Sequence, residues 1–363
     1  MVLPQNNSGR EARRSDRVEA TPTGPRLIAM KSLLALLLLT LLCRPAAAAP
    51  AEDAFAANRR LGRGVNIIGY DPLWRSREQA HFQDQHFRRL KEAGFNSVRI
   101  NLHPFRHMGP APDHPLPAAW WETLDWAVKG ARANGLIAVL DFHEFTTMGE
   151  APEANHGKFL AFWRQLAAHT QSQPPEVMFE ILNEPNKKLT PALWNQYLRE
   201  ALAVIRPAHP TRTVIVGPAF WNSIDHLAEL ELPADDAHLI VTVHYYKPMG
   251  FTHQGAPWNE NRDKSGVTWT ASEAERQAVQ QDFARAEAWA REHHRPLYLG
   301  EFGAYDKAPM ESRVRYTDYV ARTAEGLGWS WAYWQFDSDF ILWDMKRDTW
   351  VEPILHALIP PAK

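Results

Sequence analysis

The sequence repeats one unit, a short apolar strand followed by an amphipathic helix, along most of its 363 residues. Parallel strands need a long crossover connection, usually a helix, so this alternation predicts a parallel sheet. Eight strand candidates in a chain of this length match the number that closes a (β/α)₈ barrel. They are Gly64–Gly69, Asn96–His103, Leu136–His143, Val177–Asn183, Thr213–Pro218, Leu239–Tyr246, Leu297–Glu301 and Trp329–Phe336.

Helical periodicity fills the intervals between these strands. The predicted helices are Gln79–Ala93, Trp120–Asn134, Phe159–His169, Pro191–Ile205, Glu273–His293 and Met310–Leu327. Gly94, Gly135 and Gly328 follow three of them and are typical C-terminal caps. A doubly wound open sheet is the competing fold, but no glycine-rich fingerprint follows the first strand. Polar residues also gather at the C-terminal ends of many strands, where barrel active sites lie, so we predict a single α/β domain with the (β/α)₈ TIM barrel fold.

The N-terminal segment has the pattern of an export signal rather than of a folded element. Met30–Ala49 contains Lys31, an apolar run of about ten residues and a small-residue stretch, and that run is too short to span a bilayer. We therefore predict a secretory signal peptide at 30–49, preceded by a polar leader at 1–29, with Met30 as an alternative start. Residues 50–363 form the predicted catalytic domain, exported to the periplasm or the extracellular medium.

Composition and missing motifs exclude several functions. A formal net charge of -2 favours neither nucleic acid nor, after signal removal, a membrane as partner. The sequence lacks the HExxH motif of zinc proteases, the G-x-S-x-G motif of serine hydrolases and a phosphate-binding P-loop. We expect no metal and no other cofactor, and a monomer. The 15 tryptophans are many for this length and are consistent with a cleft that stacks on sugar rings.

Two glutamates at predicted strand ends carry the most specific signal. Glu184 lies in the segment Phe179–Pro185 at the end of the fourth strand, and Glu301 lies in Leu299–Gly303 at the end of the seventh. Cleavage of a glycosidic bond requires one carboxyl that protonates the leaving oxygen and a second that stabilises or traps the sugar cation. Two glutamates on opposite sides of a barrel mouth can face each other across one sugar.

Strand alternation places further polar side chains on the same inner face. Arg99, Asn101 and His103 share one face of the second strand, as do Asp141 and His143 in the third and His244 and Tyr246 in the sixth. Glu180 is predicted to point the same way as Glu184, one layer deeper. A buried glutamate requires a partner, and Arg99 is the expected one.

Several of these segments together resemble glycoside hydrolase family 5, also called cellulase family A, and within it the bacterial endo-β-1,4-glucanases. The segments are Asn183-Glu184-Pro185, Gly300-Glu301-Phe302-Gly303, Val98-Arg99-Ile100 and His244-Tyr245-Tyr246. The runs Phe251–Trp258 and Ala332–Trp334 are similar to one cellulase branch. The resemblance extends over nearly the whole chain after the signal, from Gly62 to about Leu358.

The resemblance implies a role for each matching residue. Glu184 is similar to the family's acid/base and Glu301 to its nucleophile, which implies hydrolysis with retention of anomeric configuration. Asn183 is similar to the residue that binds the sugar 2-hydroxyl. The orienting residues would be Arg99, His143, His244 and Tyr246, and the groove residues would be His253, Trp258 and Trp334.

Two departures bear on specificity. Relatives in this branch often have a histidine where this chain has Glu144, and the segment Ile68–Trp74 differs from the expected asparagine-bearing loop. Glu144 and His103 are therefore candidate specificity residues, and Trp74 or Trp221 could add flat faces to the groove. We expect a β-1,4-glucan substrate (cellulose or mixed-linkage glucan), with glucomannan also accepted. An endo-β-1,4-mannanase and a transglycosylase remain alternatives, whereas a non-catalytic carbohydrate-binding barrel would require the loss of one glutamate.

Overall fold

Eight parallel strands close into a barrel in the computed structural model, which describes residues 52–361. Each strand pairs with its sequence neighbours, and β8 pairs with β1, so the barrel has no open edge. The predicted (β/α)₈ fold is confirmed. The strands are β1 Arg63–Ile67, β2 Ser97–Leu102, β3 Ile137–Phe142, β4 Val177–Glu180, β5 Val214–Val216, β6 Leu239–Tyr245, β7 Leu297–Phe302 and β8 Ser330–Tyr333.

Helices surround the barrel and bury their apolar sides against it. The longer ones are Asp84–Ala93, Ala118–Ala133, Pro152–His169, Pro191–Ile205, Glu273–His293 and Met310–Gly326. Pro191–Ile205 and Glu273–His293 match their predicted bounds. Short helices lie at Phe145–Glu150, Met249–Thr252 and Glu352–Leu358, a left-handed turn lies at Ala219–Asn222, and β9 Trp343–Asp344 pairs with β10 Thr349–Trp350.

Local sequence sets several of these boundaries. The Thr190 side chain accepts a hydrogen bond from the backbone N–H of Leu193, and Pro191 occupies the first turn, as expected for a capped helix start. Gly94 has a φ of 103°, a left-handed conformation that glycine adopts without steric cost. The predicted glycine cap at this helix end is confirmed.

The N-terminal end of the barrel is covered by the helix Ala54–Leu61, which the sequence patterns did not predict. Asp53 caps it by accepting from the backbone N–H of Ala56 at 2.8 Å. Its buried side chains Ala54, Ala57 and Leu61 pack against the residues that line the lower barrel interior: Ile137, Val139, Met178, Ile215, Ile240, Tyr298 and Ala332. This apolar layer separates the polar upper interior from the opposite end of the barrel.

No helix among residues 52–361 is long and apolar enough to cross a membrane. The polar leader and the signal peptide predicted at 1–49 lie outside the described residues. They remain expectations from sequence.

Candidate active site

Glu184 and Glu301 meet at the C-terminal mouth of the barrel. One oxygen of each carboxyl group and one ring nitrogen of His244 all lie within 4.8 Å of one another. Both side chains are largely buried, with exposed fractions of 14% for Glu184 and 6% for Glu301. The structure therefore brings together the two glutamates that the sequence singled out.

The position of Glu184 depends on an irregular turn. The fourth strand was predicted to run to Asn183, but β4 ends at Glu180, although the Asn183 N–H still donates to the Phe142 carbonyl of β3 at 3.0 Å. Glu184 adopts a left-handed φ of 44°, and the Asn186 side chain donates to its carbonyl oxygen at 2.7 Å. The turn, rather than simple strand alternation, directs the Glu184 carboxyl into the mouth.

Glu301 enters the barrel through a bulge in β7. Val243 pairs with Leu299, but the next residue of β6, His244, pairs with Glu301, so Gly300 is an extra residue. A Cβ atom at Gly300 would lie 2.5 Å from Thr242 Oγ1, so any larger residue would force the buried Thr242 side chain to move. Bulges re-aim side chains near active sites, and this one directs both Gly300 and Glu301 inward.

Arg99 forms the centre of the buried polar network beneath the two glutamates. Its guanidinium donates to both oxygens of Glu180 at 2.7 Å, confirming the predicted pair. It also donates to Glu301 Oε1 at 2.9 Å and to Asn183 Oδ1 at 2.8 Å. Asp141 lies 3.1 Å from the same group. One cation thus serves three carboxylates, which favours the ionised form of Glu301.

Asn66, Asn101 and Asp141 complete this network and were not among the predicted site residues. Asn66 Oδ1 accepts from Arg99 at 2.7 Å, and its amide nitrogen donates to the Gly300 carbonyl at 3.0 Å. Asn101 donates to Asp141 Oδ2 at 2.9 Å. The sequence signal was available, because each of these polar residues lies between two apolar neighbours in a largely buried strand.

His244 and Tyr246 hold the two glutamates in different ways. His244 Nδ1 lies 2.8 Å from Glu184 Oε1 and 3.6 Å from Glu301 Oε2. The Tyr246 hydroxyl donates to Glu301 Oε2 at 2.9 Å. Glu301 therefore receives hydrogen bonds on both oxygens, from Arg99 and from Tyr246, whereas Glu184 contacts only the imidazole among these groups.

Burial raises the pKa values of both carboxyl groups, but different sets of neighbouring groups lower them again. Burial raises the pKa of Glu184 to about 8, and burial raises the pKa of Glu301 to about 7. His244, Arg99 and the Tyr246 hydroxyl each act to lower the pKa of Glu301. Glu301 consequently loses its proton before Glu184 does, and an intermediate pH range exists in which one is charged and the other neutral.

His143, Asn183 and Trp334 form a wall of the same mouth. The His143 and Trp334 rings are parallel, with an angle of 7° and centroids 5.4 Å apart. His143 Nδ1 lies 2.6 Å from Asp141 Oδ2, and its Nε2 lies 3.4 Å from the Asn183 amide nitrogen. Arg99 donates to Asn183 Oδ1, so the amide N–H groups of Asn183 are the part of its side chain that can bind a ligand in the mouth.

Aromatic residues extend from this wall in two directions. Tyr70, 57% exposed, lies edge-on to Trp334 at 6.3 Å and next to His103 at 5.5 Å. Trp221 is 46% exposed in the turn after β5. Trp258, 55% exposed, lies edge-on to Tyr305, and the buried His253 contacts the Tyr246 ring.

Trp74 is not part of the groove, contrary to one expectation from sequence. Its indole nitrogen donates to the Ile68 carbonyl at 2.8 Å, and its ring stacks on Trp120 at 5.5 Å. Only 7% of the residue is exposed, so it belongs to the core beneath the first loop. Its place over the mouth is taken by Tyr70 from the same loop.

Glu144, a predicted specificity residue, is engaged by the neighbouring loop. Its Oε1 accepts from the backbone N–H of Phe105 at 2.7 Å, and the residue is 8% exposed. Burial raises the pKa of this carboxyl. Lys158 donates to the Phe105 carbonyl in the same loop. These contacts describe an anchor for the segment that carries His103 rather than a group directed at the mouth.

Two clusters among residues 52–361 have ligand atoms spaced closely enough for a metal ion. One is Glu184, His244 and Glu301 itself, and the other is Asp71 with His81 and Asp337. In the second cluster the Asp71 carboxylate already accepts from the backbone N–H groups of Leu73, His81 and Phe82. Asp71 therefore serves to hold the backbone of the first loop, which explains its position without a metal ion.

A (β/α)₈ barrel with two facing glutamates at its C-terminal mouth defines a glycoside hydrolase of the barrel class. The chain belongs to glycosyl hydrolase family 5, since the family model described as Cellulase (glycosyl hydrolase family 5) matches residues 60–339.

Relatives and solved structures agree with this assignment. Endoglucanase H of Acetivibrio thermocellus is 27% identical over 328 residues, 87% of this chain and 35% of the relative. Endoglucanase Cel5A of Thermotoga maritima is 39% identical with a TM-score of 0.80, covering 85% of this chain and 100% of that one. A structure of Thermotoga maritima Cel5A in complex with mannotriose shows 38% identity and the same TM-score and coverage. The aligned part of the chain spans between 35% and 39% of the length of Endoglucanase H and of two other relatives, Cellulase/esterase CelE of Acetivibrio thermocellus and Endoglucanase 3 of Fibrobacter succinogenes.

Proposed function

We propose that this chain is a retaining endo-glycosidase that hydrolyses β-1,4-glucan by double displacement. The observation that carries the proposal is the proximity of the two carboxyl groups, since one oxygen of Glu184 lies within 4.8 Å of one oxygen of Glu301. Retaining enzymes place their carboxyl groups about 5–5.5 Å apart, whereas inverting enzymes need about 6.5–9.5 Å to accommodate a water molecule. The observed spacing supports retention.

The unequal environments of the two glutamates support the assignment of their roles. Glu301, with hydrogen bonds from Arg99 and Tyr246, is the nucleophile, because these donors favour its carboxylate. Glu184 keeps its proton to higher pH and donates it to the leaving oxygen. After the leaving sugar departs, Glu184 as carboxylate takes a proton from water, which attacks the glycosyl–Glu301 ester.

The positions of the two glutamates also indicate in which direction the substrate chain lies in the cleft. The leaving chain must lie on the side of the proton donor, and Trp221, whose backbone N–H donates to the Pro185 carbonyl at 3.0 Å, is beside Glu184. The retained chain then lies across Trp334, His143 and Tyr70, at the ends of β8, β3 and β1. The exposed rings of Tyr70 and Trp221 suit the flat, equatorially linked ribbon of a β-1,4-glucan.

Glucomannan or mannan is the second candidate substrate, and one observation favours it. The 38% identical Thermotoga maritima Cel5A has been solved with mannotriose and also with cellobiose. Stacking tolerates either orientation of the 2-hydroxyl, so discrimination rests on polar contacts such as the Asn183 amide. A hydroxyl that a site merely tolerates changes the rate little, whereas one that it must bind can matter by orders of magnitude.

Proton NMR of the first-formed product tests retention. A β-anomer from cellopentaose supports the proposal, and an α-anomer overturns the assignment of both glutamates. Relative kcat/KM on carboxymethyl cellulose, barley β-glucan, glucomannan, linear mannan, xyloglucan and laminarin tests the substrate. A clear preference for mannan would establish a mannanase, and activity on laminarin alone would exclude the β-1,4 linkage.

Chemical rescue separates the two roles. Glu301→Ala abolishes turnover, and azide restores it with an α-glycosyl azide as product. Glu184→Ala spares the first step for substrates with good leaving groups, and azide then gives a β-glycosyl azide. A β-azide from Glu301→Ala would mean that the roles are reversed. Product analysis at high oligosaccharide concentration distinguishes hydrolysis from transglycosylation.

The proposal also covers the boundaries of the catalytic unit and the export of the protein. We propose that residues 50–363 form the catalytic unit and that 30–49 act as a signal peptide preceded by the leader at 1–29. The processed protein is a monomer exported to the periplasm or the medium. The export pattern of Met30–Ala49 supports it. N-terminal sequencing of the exported protein and its mass by light scattering are the tests.

A further inference from the structure

The turn after β5 has an unusual backbone next to the proposed acid/base. Phe220, Trp221 and Asn222 are consecutive and have φ values of 57°, 59° and 53°. Left-handed conformations are costly for residues with a Cβ atom, and a run of three persists only where the surroundings enforce it. The turn is bound to the acid/base segment, because the backbone N–H of Trp221 donates to the Pro185 carbonyl at 3.0 Å.

This turn places the Asn222 side chain against the back of His244. Asn222 is fully buried, and its Nδ2 lies 3.3 Å from His244 Nε2. Its Oδ1 is buried, and no group among residues 52–361 forms a hydrogen bond with it. The other ring nitrogen, Nδ1, lies 2.8 Å from Glu184 Oε1. A continuous chain of polar contacts therefore runs from the left-handed turn through the imidazole to Glu184.

The amide determines what the imidazole can offer to Glu184. Burial lowers the pKa of His244, so the ring is neutral and carries a single hydrogen. An N–H group of Asn222 directed at Nε2 requires a lone pair there, which leaves the hydrogen on Nδ1. We propose that Asn222 is a positioning residue that holds His244 as the Nδ1–H tautomer, so that His244 donates a hydrogen bond to ionised Glu184.

Other charged groups face His244 from the surrounding strands, and the proposal leaves them unchanged. Glu301 approaches from β7 and Glu184 from the segment after β4. Three more act from within the barrel: Arg99 on β2, Asp141 on β3 and Glu180 on β4. None of these contacts Nε2 within hydrogen-bond distance, so among the described residues Asn222 is the group placed to select the tautomer.

The tautomer matters for the second half of the proposed cycle, and this step rests on the proposed function. Water attacks the anomeric carbon of the glycosyl ester, the carbon–oxygen bond to Glu301 breaks, and the proton of the water passes to ionised Glu184. A donor at Nδ1 stabilises that carboxylate before the proton arrives. With the hydrogen on Nε2 instead, the Nδ1 lone pair would face the Glu184 carboxylate and disfavour the ionised state.

Two substitutions at Asn222 test the tautomer without forcing a new backbone. Asn222→Asp keeps the shape and tolerates the left-handed region but presents an acceptor to Nε2, whereas Asn222→Gly removes the amide and suits a positive φ. Nitrogen-15 NMR of histidine-labelled protein, assigned by comparison with His244→Gln, reads both ring nitrogens. We expect hydrogen on Nδ1 only in the wild type, hydrogen on Nε2 in Asn222→Asp and a mixture in Asn222→Gly.

Hydrogen on Nε2 in the wild type, or an unchanged pattern in Asn222→Asp, would overturn the proposal. This readout requires no catalysis, so it stands even if the protein hydrolyses none of the proposed substrates. Failure of the proposed function would instead appear as a wild type without glycosidase activity.

Kinetics with 2,4-dinitrophenyl β-cellobioside test whether the tautomer of His244 affects catalysis. This leaving group needs no protonation, so hydrolysis of the glycosyl ester limits kcat. General-base assistance is worth about 10²–10⁴-fold, and we expect both Asn222 variants to lose about tenfold in kcat with a smaller loss in kcat/KM. Azide, which needs no base, should restore turnover and yield β-cellobiosyl azide.

Phe220→Gly is the matched control for the turn. It relieves the same left-handed strain and removes a side chain that packs on His226 rather than on His244. We expect its kcat to stay near that of the wild type and to be insensitive to azide. Equal losses in Phe220→Gly and Asn222→Gly would assign the effect to the turn's backbone and refute a specific role for the amide.

Discussion

Replacing Arg99 by lysine tests whether one buried cation organises the whole site. Arg99 donates to Glu180, Glu301, Asn183 and Asn66 from a side chain that is fully buried. Lysine keeps the charge but has three N–H donors instead of five and cannot form the bidentate pair with Glu180. It would remain near Glu180 and withdraw from Glu301.

The substitution should lower the stability of the protein and raise the pKa of Glu301. Loss of at least two hydrogen bonds to charged groups, in a buried network, costs about 3–5 kcal/mol of unfolding free energy. At an effective dielectric constant of about 20, a unit-charge pair is worth about 5.7 kcal/mol at the observed 2.9 Å and about 3.3 kcal/mol at 5 Å. With about 1.4 kcal/mol per pKa unit, the pKa of Glu301 should rise by one to two units.

The assays are thermal unfolding and the pH dependence of kcat/KM on an aryl β-cellobioside. A chain of this size loses about 2 °C of Tm per kcal/mol, so Tm should fall by about 6–10 °C. Activity is lost as pH falls through the pKa of Glu301, so a raised pKa moves the acid limb to higher pH. Arg206→Lys is the control, since Arg206 also pairs bidentately, with Asp236 at 2.7 and 3.1 Å, away from the mouth. An acid limb that stays in place despite the loss of stability would refute the coupling of Arg99 to Glu301.

Three further predictions concern individual side chains. Glu184→Gln should remove the basic limb of the pH profile on substrates with good leaving groups, since the titrating group whose pKa is about 8 is gone. Glu144→Ala should cost about 1–3 kcal/mol in chemical denaturation by leaving the Phe105 N–H unsatisfied, whereas Glu144→Gln should cost less and leave the ratio of glucan to mannan activity unchanged. Trp258→Ala should raise KM for cellohexaose several-fold with little change for aryl cellobioside, and equal effects on both would place Trp258 outside the groove.

The barrel and its two glutamates were accessible from sequence because each rests on a local pattern. Strand periodicity located all eight strands, and paired carboxyl chemistry identified Glu184 and Glu301. The Arg99–Glu180 pair followed from the requirement that a buried charge have a partner. The strands and the two glutamates are recognised from their neighbours in the sequence, whereas Arg99 and Glu180 are 81 residues apart and were paired through the predicted barrel.

Other features could not be obtained this way, because they depend on contacts between distant segments. The helix Ala54–Leu61 has an ordinary composition, and only the open end of the barrel explains its position. Trp74 and Trp221 look equivalent in sequence, yet one stacks in the core and the other lies exposed in a left-handed turn. The orientation of the Glu144 carboxylate depends on the Phe105 N–H, 39 residues away along the chain.

The extra residue in β7 restricts how sequences with this site can change in length. Loops around a barrel accept insertions and deletions, but loss of Gly300 would shift Glu301 one step along the strand. Its Cβ would then occupy the place where such an atom lies 2.5 Å from Thr242 Oγ1, and its carboxyl would leave the Tyr246 hydroxyl. We therefore expect the segment from Leu299 to Phe302 to tolerate no change in residue number among functional variants, and a deletion library that recovered active clones here would show otherwise.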